Sequence, residues 1–422
     1  MDDDVVVVGG GLAGCLAALA AARAGRSVGL VSRAETTLDR ASGLVDVLGY
    51  TPDGEGPLAD PFAAIPDLPS AHPYRTVGVE AVREGLALFD EVTDDRYCGA
   101  DTDANALVPT YGGRVKPTAR YPETVAAGLA SQRRPTSLVG FRELTAFDAP
   151  LTAERLSRTL PYRVDGLTRT FPADLEVTAD RPDPTPLQCA RALECNESVD
   201  GTSTREELVA SLEHFLQMKD RVGFPAVLGV TDTRAIHSTL EDHLGIRVFE
   251  VPMGPPSIPG MRLQSVLGDA LAGAGVRVET ATSVVDVDAA GDHVERLRLE
   301  GEVSGTWEAS QYVVATGGLT GGGIHADRDG VREAVFGCHV DAPADRSEWA
   351  ERDPFGDHAF ARFGLSVDDE MRPRGADGDP EFRNLRAAGS VLGGYDFAAE
   401  KSGSGVSIAT GYVAGATAAD GC

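Results

Sequence analysis

The chain contains very little lysine and a large excess of acidic residues. Only three lysines, Lys116, Lys219 and Lys401, occur among 38 basic residues, which face 65 acidic residues and leave a formal charge of -27. So large a negative field repels nucleic acid and anionic lipid head groups, and we expect no nucleic-acid partner. An acidic, lysine-poor surface also stays soluble where concentrated salt screens charge. The composition therefore predicts adaptation to a very salty cytoplasm, with an ordinary acidic enzyme as the alternative.

Cysteine is scarce and irregularly spaced. The chain has six cysteines and no Cys-x-x-Cys pair; they stand at positions 15, 98, 189, 195, 338 and 422. Iron–sulfur clusters and zinc knuckles need closely and regularly spaced thiolates, so no metal site is predicted. Cys189 and Cys195 could pair, but free thiols are expected in a cytoplasmic chain.

No apolar run is predicted to cross a membrane. One stretch, Val5 to Ala22, resembles a short membrane span or a signal peptide because it carries no charge. However, Asp2, Asp3 and Asp4 precede it where a signal would be basic, and four glycines interrupt it. We therefore expect a buried strand, turn and helix in a cytoplasmic chain, and any membrane contact must come through a partner.

That stretch has the pattern of a dinucleotide-binding unit. A strand is predicted over Asp4 to Val8, a helix over Leu12 to Ala24 and a second strand over Ser27 to Val31, with Gly9-x-Gly11-x-x-Gly14 as the first turn. Glycine at these positions permits a tight turn, approach of a phosphate and close helix packing. The backbone N–H groups predicted to hold the phosphate belong to Gly11, Leu12, Ala13 and Gly14. A glycine-rich packing turn without a ligand is the alternative.

The carboxylate that usually binds an adenosine ribose is missing from this unit. It should stand about 20 residues beyond the glycines, at the end of the second strand. Ser32 and Arg33 stand there instead. This favours a mononucleotide such as FMN over FAD or NAD, with Arg33 adding a charge-assisted contact to the phosphate. Glu35 could replace the missing acid if the strand ends late.

The remaining pattern predicts an α/β fold with a parallel sheet, an antiparallel crossover and an inserted domain. We assign residues 1–49 and 256–422 to one discontinuous Rossmann-like domain and residues 50–255 to the insertion. Pro255 to Gly260 is predicted as a linker, followed by a helix over Met261 to Ala274. Further predictions are a strand over Thr136 to Gly140, a strand and turn over Asn384 to Ser390 and a closing helix over Gly405 to Ala419. Four successive strands are predicted over Val276 to Thr280, Ser283 to Val287, Val294 to Leu299 and Tyr312 to Ala315. The first three are expected to form the antiparallel crossover, and the fourth to return to the parallel sheet.

Several blocks, in one order along the chain, resemble a known family. They are the glycine cradle, Ala71-His72-Pro73-Tyr74, Pro255-Pro256-Ser257 with Gly260-x-Arg262-Leu263-Gln264, Ala315-Thr316-Gly317 with Arg328-x-Gly330-x-Arg332-Glu333, and Ala388 to Asp396. Together they resemble the B subunit of anaerobic glycerol-3-phosphate dehydrogenase, closely at both ends and loosely from Asp94 to Phe249. His325 and His339 depart from the family pattern, so the resemblance gives them no catalytic role.

The resemblance implies a flavoprotein with FMN, or alternatively FAD. It implies as partners an FAD-containing A subunit and an iron–sulfur, membrane-anchoring C subunit. The reaction would be oxidation of sn-glycerol 3-phosphate to dihydroxyacetone phosphate, with electrons relayed through FMN towards quinone. The chain would then be cytoplasmic and peripheral on the cell membrane, held there by a partner. The missing cluster ligands and the missing ribose carboxylate agree with this assignment.

Glycine- and serine-rich turns are predicted to line the flavin ring, because a flat ligand needs close approach of the backbone. Ordinary turn glycines are the alternative. The predicted positions are Ser42, Gly43, Thr316, Gly317, Gly389, Ser390, Gly393 and Gly394.

A phosphorylated substrate favours arginine, whose planar fork binds phosphate oxygens in pairs. Arg262, Arg332 and Arg372 lie beside the cofactor-lining blocks and are the candidates, with surface salt bridges as the alternative. His72 is the candidate proton acceptor, because its ordinary pKa lies near working pH, with a capping or packing role as the alternative. If substrate chemistry belongs wholly to the A subunit, none of the four is catalytic.

Two other functions fit the sequence. The first is a self-sufficient FAD-dependent oxidoreductase of the fumarate reductase and succinate dehydrogenase type. The second is a non-catalytic protein that docks partners and has a vestigial cradle. The intact glycines argue against the second function, and Ser32 argues mildly for it.

Overall fold

The computed structural model describes residues 2–34, 37–175, 183–199 and 201–422. The chain forms two compact units. The first comprises Met1–Thr37, Asp46–Asp94 and Val266–Cys422, and the second comprises Leu38–Val45 and Asp95–Ser265. The domain bounds expected from the sequence, 1–49 with 256–422 and 50–255, stay a prediction.

Helices and strands alternate along much of the chain. The α-helices are α1 (Leu12–Arg23), α2 (Pro61–Ala64), α3 (Pro73–Thr93), α4 (Ala149–Thr159), α5 (Pro186–Cys195), α6 (Thr204–Leu216), α7 (Thr233–Leu244), α8 (Ile258–Gly273), α9 (Phe397–Glu400) and α10 (Gly403–Asp420). The strands are β1 (Asp2–Val8), β2 (Val28–Val31), β3 (Tyr97–Cys98), β4 (Ala106–Pro109), β5 (Val115–Thr118), β6 (Tyr121–Pro122), β7 (Thr136–Phe141), β8 (Val164–Arg169), β9 (Ser198–Val199), β10 (Thr202–Ser203), β11 (Arg221–Pro225), β12 (Arg247–Val251), β13 (Arg277–Glu279), β14 (Thr282–Ala290), β15 (His293–Gly301), β16 (Gly305–Val314), β17 (Ile324–Ala326), β18 (Val331–Glu333) and β19 (Leu385–Ala387).

The first unit is built on a mixed sheet with strand order β13-β2-β1-β16-β15-β14, in which β19 also pairs with β16. β1 carries four consecutive buried valines, as expected for a central parallel strand. Val8 lies in register with both Val31 of β2 and Val314 of β16. Because these parallel strands end together, the turns that follow them meet at one edge of the sheet.

Two helices of small residues pack together in this unit. The Ala-rich α1 lies so close to α10 that Gly411 and Gly415 of α10 have no room for a side chain. A Cβ at Gly411 would lie 2.4 Å from Ala13 O, and one at Gly415 would lie 2.2 Å from Ala17 O. Backbone contact of this kind fixes the position of the amino end of α1.

The second unit contains a four-stranded parallel sheet with the order β12-β11-β7-β8. Its core includes buried aromatic residues such as Phe141, Phe224 and Phe249 together with the apolar faces of α4, α5, α6 and α7. Only β7 was expected from the sequence among these four strands.

Most elements predicted for the first unit are confirmed within a few residues, and so is the α/β architecture. Two expectations are wrong. α8 begins at Ile258, so the predicted linker does not extend to Gly260. β13 pairs in parallel with β2, so it belongs to the parallel sheet, whereas β14 and β15 form the antiparallel crossover with β16.

Candidate flavin site

The glycines of the first turn are required by contacts across the sheet edge. Gly9 has a φ of +121°, and a Cβ there would lie 2.2 Å from Ala315 O. A Cβ at Gly14 would lie 1.9 Å from Gly9 O, so α1 could not approach the turn with any other residue. These two glycines therefore build the cradle itself.

Gly11 has a different role from its neighbours. It is the N-cap of α1, no side chain caps the helix there, and a Cβ at Gly11 would meet no atom within 4 Å. The first N–H groups of a helix lack partners within the helix and carry the positive end of its dipole. Leu12, Ala13 and Gly14 thus present N–H groups at the end of the helix beside open space, which suits a phosphate.

A second turn, after β16, lies against the first. Gly317 has a φ of +85°, and the backbone of Gly9 contacts Ala315. The hydroxyl Oγ1 of Thr316 is buried without a hydrogen-bond partner. A buried polar atom of this kind usually has a partner in the functional state of the protein.

The turn after β19 joins these two. Gly318 N donates to Ser390 Oγ at 3.3 Å, and Gly389 N donates to Thr410 Oγ1 at 2.9 Å. A Cβ at Gly389 would lie 2.6 Å from the Cβ of Ala13. The structure therefore brings Gly389 and Ser390 together with the cradle.

Gly393 and Gly394 make their close contacts with other loops of the first unit. A Cβ at Gly393 would lie 2.9 Å from Gly364 N, and one at Gly394 would lie 2.3 Å from Ala71 O. Their glycine identity is thus explained by packing, and their proposed contact with a flavin ring stays a prediction.

At the end of β2, the residue that replaces the expected acid points inward. Ser32 is buried, and its hydroxyl donates to Ala34 O at 2.8 Å. Arg33 Nη2 donates to Gly321 O at 3.4 Å, which places its guanidinium over the glycine-rich loop after β16. Glu35, the possible substitute, lies outside the described residues.

Ser42 and Gly43 belong to the second unit, and their contacts are made there. Ser42 Oγ accepts a hydrogen bond from Leu44 N at 3.4 Å, and Gly43 O accepts one from the Tyr97 hydroxyl at 2.8 Å. A Cβ at Gly43 would lie 2.5 Å from the Cβ of Pro259. Their place in a flavin site stays a prediction.

His72 is fully buried at the N-cap of α3, and both of its ring nitrogens have partners. Nδ1 accepts a hydrogen bond from Tyr74 N at 3.1 Å, so the proton must be on Nε2, which lies 3.0 Å from Glu400 Oε2. This arrangement suits a structural clamp better than a proton acceptor.

Each of the three candidate arginines has a carboxylate partner. Arg262 forms two hydrogen bonds with buried Glu250, at 2.6 and 3.0 Å, and two more with Gly229 O. Arg332 pairs with Asp327 at 3.0 Å, and Arg372 with Asp368 at 2.8 Å. Their proposed contact with a substrate phosphate stays a prediction. To bind a phosphate, each arginine would have to leave its carboxylate partner or contact both groups at once.

Pairing with Arg262 changes the pKa of the Glu250 carboxyl group. Complete burial opposes its ionisation, but the adjacent Arg262 guanidinium and the N–H of Leu228 outweigh burial, so the pKa of Glu250 lies below its ordinary value. The guanidinium group of Arg262 is therefore paired with the ionised carboxylate of Glu250 in the second unit.

The residues of the first unit fit a flavin phosphate. An uncapped helix amino end, open space at Gly11 and the orphaned Thr316 hydroxyl occur around turns that touch one another. Within the described ranges, no group of three His, Cys, Asp or Glu side chains is placed to hold a metal ion. No helix in the part of the chain that the structure describes is long and apolar enough to span a bilayer.

Comparison with known proteins identifies the family. The family model of the FAD binding domain matches residues 4–406. The probable B subunit of anaerobic glycerol-3-phosphate dehydrogenase from Halobacterium salinarum is 54% identical, over 100% of this chain and 98% of that protein. The B subunit of the anaerobic glycerol-3-phosphate dehydrogenase of Vibrio cholerae is 29% identical, over 98% of this chain and 95% of that protein.

A solved structure is similar over nearly the whole chain but only distantly. That of 3-ketosteroid-Δ4-(5α)-dehydrogenase from Rhodococcus jostii covers 99% of this chain and 97% of its own, with 12% identity and a TM-score of 0.41. The resemblance noted from the sequence blocks and the predicted α/β flavoprotein fold are both confirmed by the family match. The chain belongs to the FAD binding domain family and, within it, to the flavoprotein dehydrogenase subunits represented by the B subunit of anaerobic glycerol-3-phosphate dehydrogenase.

Proposed function

We propose that this chain is the FMN-carrying subunit of a quinone-linked glycerol-3-phosphate dehydrogenase. The reaction is oxidation of sn-glycerol 3-phosphate to dihydroxyacetone phosphate, and the partners are an FAD-containing A subunit and an iron–sulfur, membrane-anchoring C subunit. The chain is then peripheral on the cytoplasmic face of the membrane. The names of its relatives support the substrate and the multi-subunit assembly.

The observation that supports FMN is the end of β2. Ser32 is buried with its hydroxyl bonded to Ala34 O, so it offers no carboxylate to a ribose. FAD is the alternative cofactor, and it is favoured by the description of the matching family model. If FAD binds, another group must take the place of the missing acid.

The chain's own residues supply binding and orientation. The N–H groups at the start of α1 and the positive end of its dipole hold the phosphate. Arg33, which donates to Gly321 O, would add a positive charge for the phosphate. The closely packed turns at Thr316, Gly389 and Ser390 would let the backbone approach a flat flavin ring. When bound, a flavin accepts two electrons and can release them one at a time, which couples a dehydrogenation to one-electron carriers.

The experiment that tests this proposal is identification of the cofactor. The chain is purified in high salt, denatured, and the released flavin is identified by mass. FMN supports the proposal, whereas FAD supports the alternative of an FAD oxidoreductase. A colourless protein that also fails to take up added flavin supports a docking protein with a vestigial cradle.

Reduction of the bound flavin tests the substrate. We expect sn-glycerol 3-phosphate to bleach the flavin absorbance of the assembled complex without oxygen, and glycerol not to do so. Bleaching by both compounds or by neither would contradict the proposed substrate.

We also propose that the chain is adapted to concentrated salt. The acidic excess would repel itself in dilute buffer, so the melting temperature should rise with potassium chloride concentration. A melting temperature that is independent of salt would favour an ordinary acidic enzyme.

A further inference from the structure

A small pocket lies in the first unit at the tip of the β17–β18 hairpin. Its volume is about 220 Å³, and its walls include Arg328, Asp329 and Gly330 from the hairpin tip and Arg346 and Trp349 from the segment that follows. None of these five residues was expected to take part in binding. The pocket lies wholly within the unit that contains the flavin cradle.

Arg328 and Arg346 differ from the arginines predicted from the sequence. Within the described residues, neither Arg328 nor Arg346 pairs with a carboxylate, although acidic residues outnumber basic ones by 65 to 38. By contrast, Arg332 on the same hairpin pairs with Asp327. Asp329 also lines the pocket, but two guanidinium groups without acidic partners among the described residues leave charged N–H donors available in one concave site.

Trp349 orients one of these arginines. The indole N–H donates to Pro343 O at 2.8 Å, and the ring packs edge-on against Phe363 at 5.6 Å. Arg346 Cζ lies 5.5 Å from the centroid of the Trp349 ring. A fixed aromatic face favours a cation above it, so Arg346 is held beside the pocket.

The hairpin is anchored at both ends. At its start, a Cβ at Gly323 would lie 2.4 Å from Thr316 Oγ1, so β17 begins directly against the turn after β16. At its end, the buried carboxyl group of Glu333 accepts hydrogen bonds from Val335 N and Phe336 N, at 2.9 and 2.6 Å. The pocket is therefore carried on an element that is continuous with the candidate flavin site.

We propose that this pocket binds the phosphate group of the three-carbon substrate. The inference rests on the proposed function, since it names the subsite for that substrate. Arg328 and Arg346 supply paired donors to phosphate oxygens, and the Asp329 carboxyl group accepts hydrogen bonds from substrate hydroxyls. The size of the pocket suits a small phosphate monoester.

Tryptophan fluorescence provides a direct test on the purified flavin-bound chain. The chain has two tryptophans, and Trp307 is fully buried, so a ligand in the pocket should change the emission of Trp349. Glycerol 3-phosphate, inorganic phosphate and glycerol are titrated separately. We expect glycerol 3-phosphate to bind, phosphate to compete with it more weakly, and glycerol to have no effect.

Substitution of the arginines decides the assignment. Arg328→Gln and Arg346→Gln should each raise the Kd of glycerol 3-phosphate by about tenfold or more, because each removes a charge-assisted contact. Arg383→Gln is the matched control, since that exposed arginine pairs with Asp292 outside the pocket. Unchanged Kd values in both pocket variants would overturn the proposal, as would inorganic phosphate binding as tightly as glycerol 3-phosphate.

The binding test and the flavin test can fail separately. Bleaching of the flavin in the assembled complex with an unchanged KM in both pocket variants would reject the pocket and leave the proposed function standing. Binding that depends on Arg328 and Arg346 without any bleaching would support the pocket and count against the proposed dehydrogenase activity.

Discussion

His72 and Glu400 form a buried pair that joins the start of α3 to the end of α9, with His72 Nε2 lying 3.0 Å from Glu400 Oε2. The two residues are 328 positions apart in the chain. Because Nδ1 of the same ring caps α3 through Tyr74 N, the imidazole satisfies two buried groups at once. We interpret His72 as a positioning residue for the first unit.

Replacing His72 should therefore affect stability before it affects chemistry. His72→Ala removes the cap of α3 and one hydrogen bond to the buried Glu400 carboxyl group, which keeps its bonds from Asp396 N and Ser402 Oγ. We therefore expect the free energy of unfolding to fall by about 2 kcal/mol. His72→Asn should recover about 1 kcal/mol, because asparagine can cap the helix. Denaturant unfolding measures both effects. An alanine variant with normal stability and no substrate-dependent flavin reduction would instead support the proton acceptor predicted from the sequence.

Gly11 and Gly14 should respond oppositely to the same substitution. A side chain at Gly11 enters open space, so Gly11→Val should fold normally and lose its flavin by blocking approach of the phosphate. A side chain at Gly14 collides with Gly9 O, so Gly14→Val should fail to fold. Circular dichroism reports folding, and flavin absorbance per chain reports retention. Normal flavin content in Gly11→Val would contradict the cradle assignment.

The sequence predicted the cradle well because its signals are local. Four valines, three glycines and an Ala-rich segment define strand, turn and helix without distant information. The second unit was harder to predict because its strands depend on long-range packing. β11 contains Arg221, Gly223 and Pro225, yet Arg221 is buried among carbonyl groups, and the space at Gly223 is filled by the ring of Phe249.

In the candidate site, too, local features could be predicted and long-range contacts could not. Glycines that build turns could be found from spacing, since their backbone roles follow from the pattern. Partners of arginines could not be found, because Glu250 meets Arg262 and Asp327 meets Arg332 only in the folded chain. Arg328 stands in one of the blocks that resemble the family, but nothing in the sequence shows that Arg328 and Arg346 lack carboxylate partners and line one pocket.

The Glu250–Arg262 pair predicts a specific pH dependence. Because the folded-state pKa of Glu250 is lowered, its ionisation stabilises the fold above the ordinary glutamate pKa, and this contribution is lost as pH falls through the lowered value. Glu250→Gln should therefore be less stable than the unmodified chain at neutral pH, and the difference should shrink in acid. Urea unfolding from neutral to acidic pH measures this difference.

The matched control for that series is Asp165→Asn. Asp165 is half exposed and pairs with Lys219 at the surface of the second unit, so its substitution should change stability little at neutral pH. An equal loss of unfolding free energy in both variants would show that the buried pair stabilises the fold no more than the surface pair does. A difference for Glu250→Gln that is constant with pH would contradict the lowered pKa.

The orphaned hydroxyl of Thr316 gives the most direct test of where the flavin binds. Valine has the same shape, so Thr316→Val removes a buried unsatisfied polar atom and should stabilise the flavin-free chain by about 1 kcal/mol. If Oγ1 bonds the bound flavin, the same variant should release flavin about tenfold more readily on dilution. Thr417→Val is the control, since that hydroxyl already donates to Val413 O within α10. Higher stability of the flavin-free Thr316→Val chain with unchanged flavin affinity would place the cofactor away from this turn.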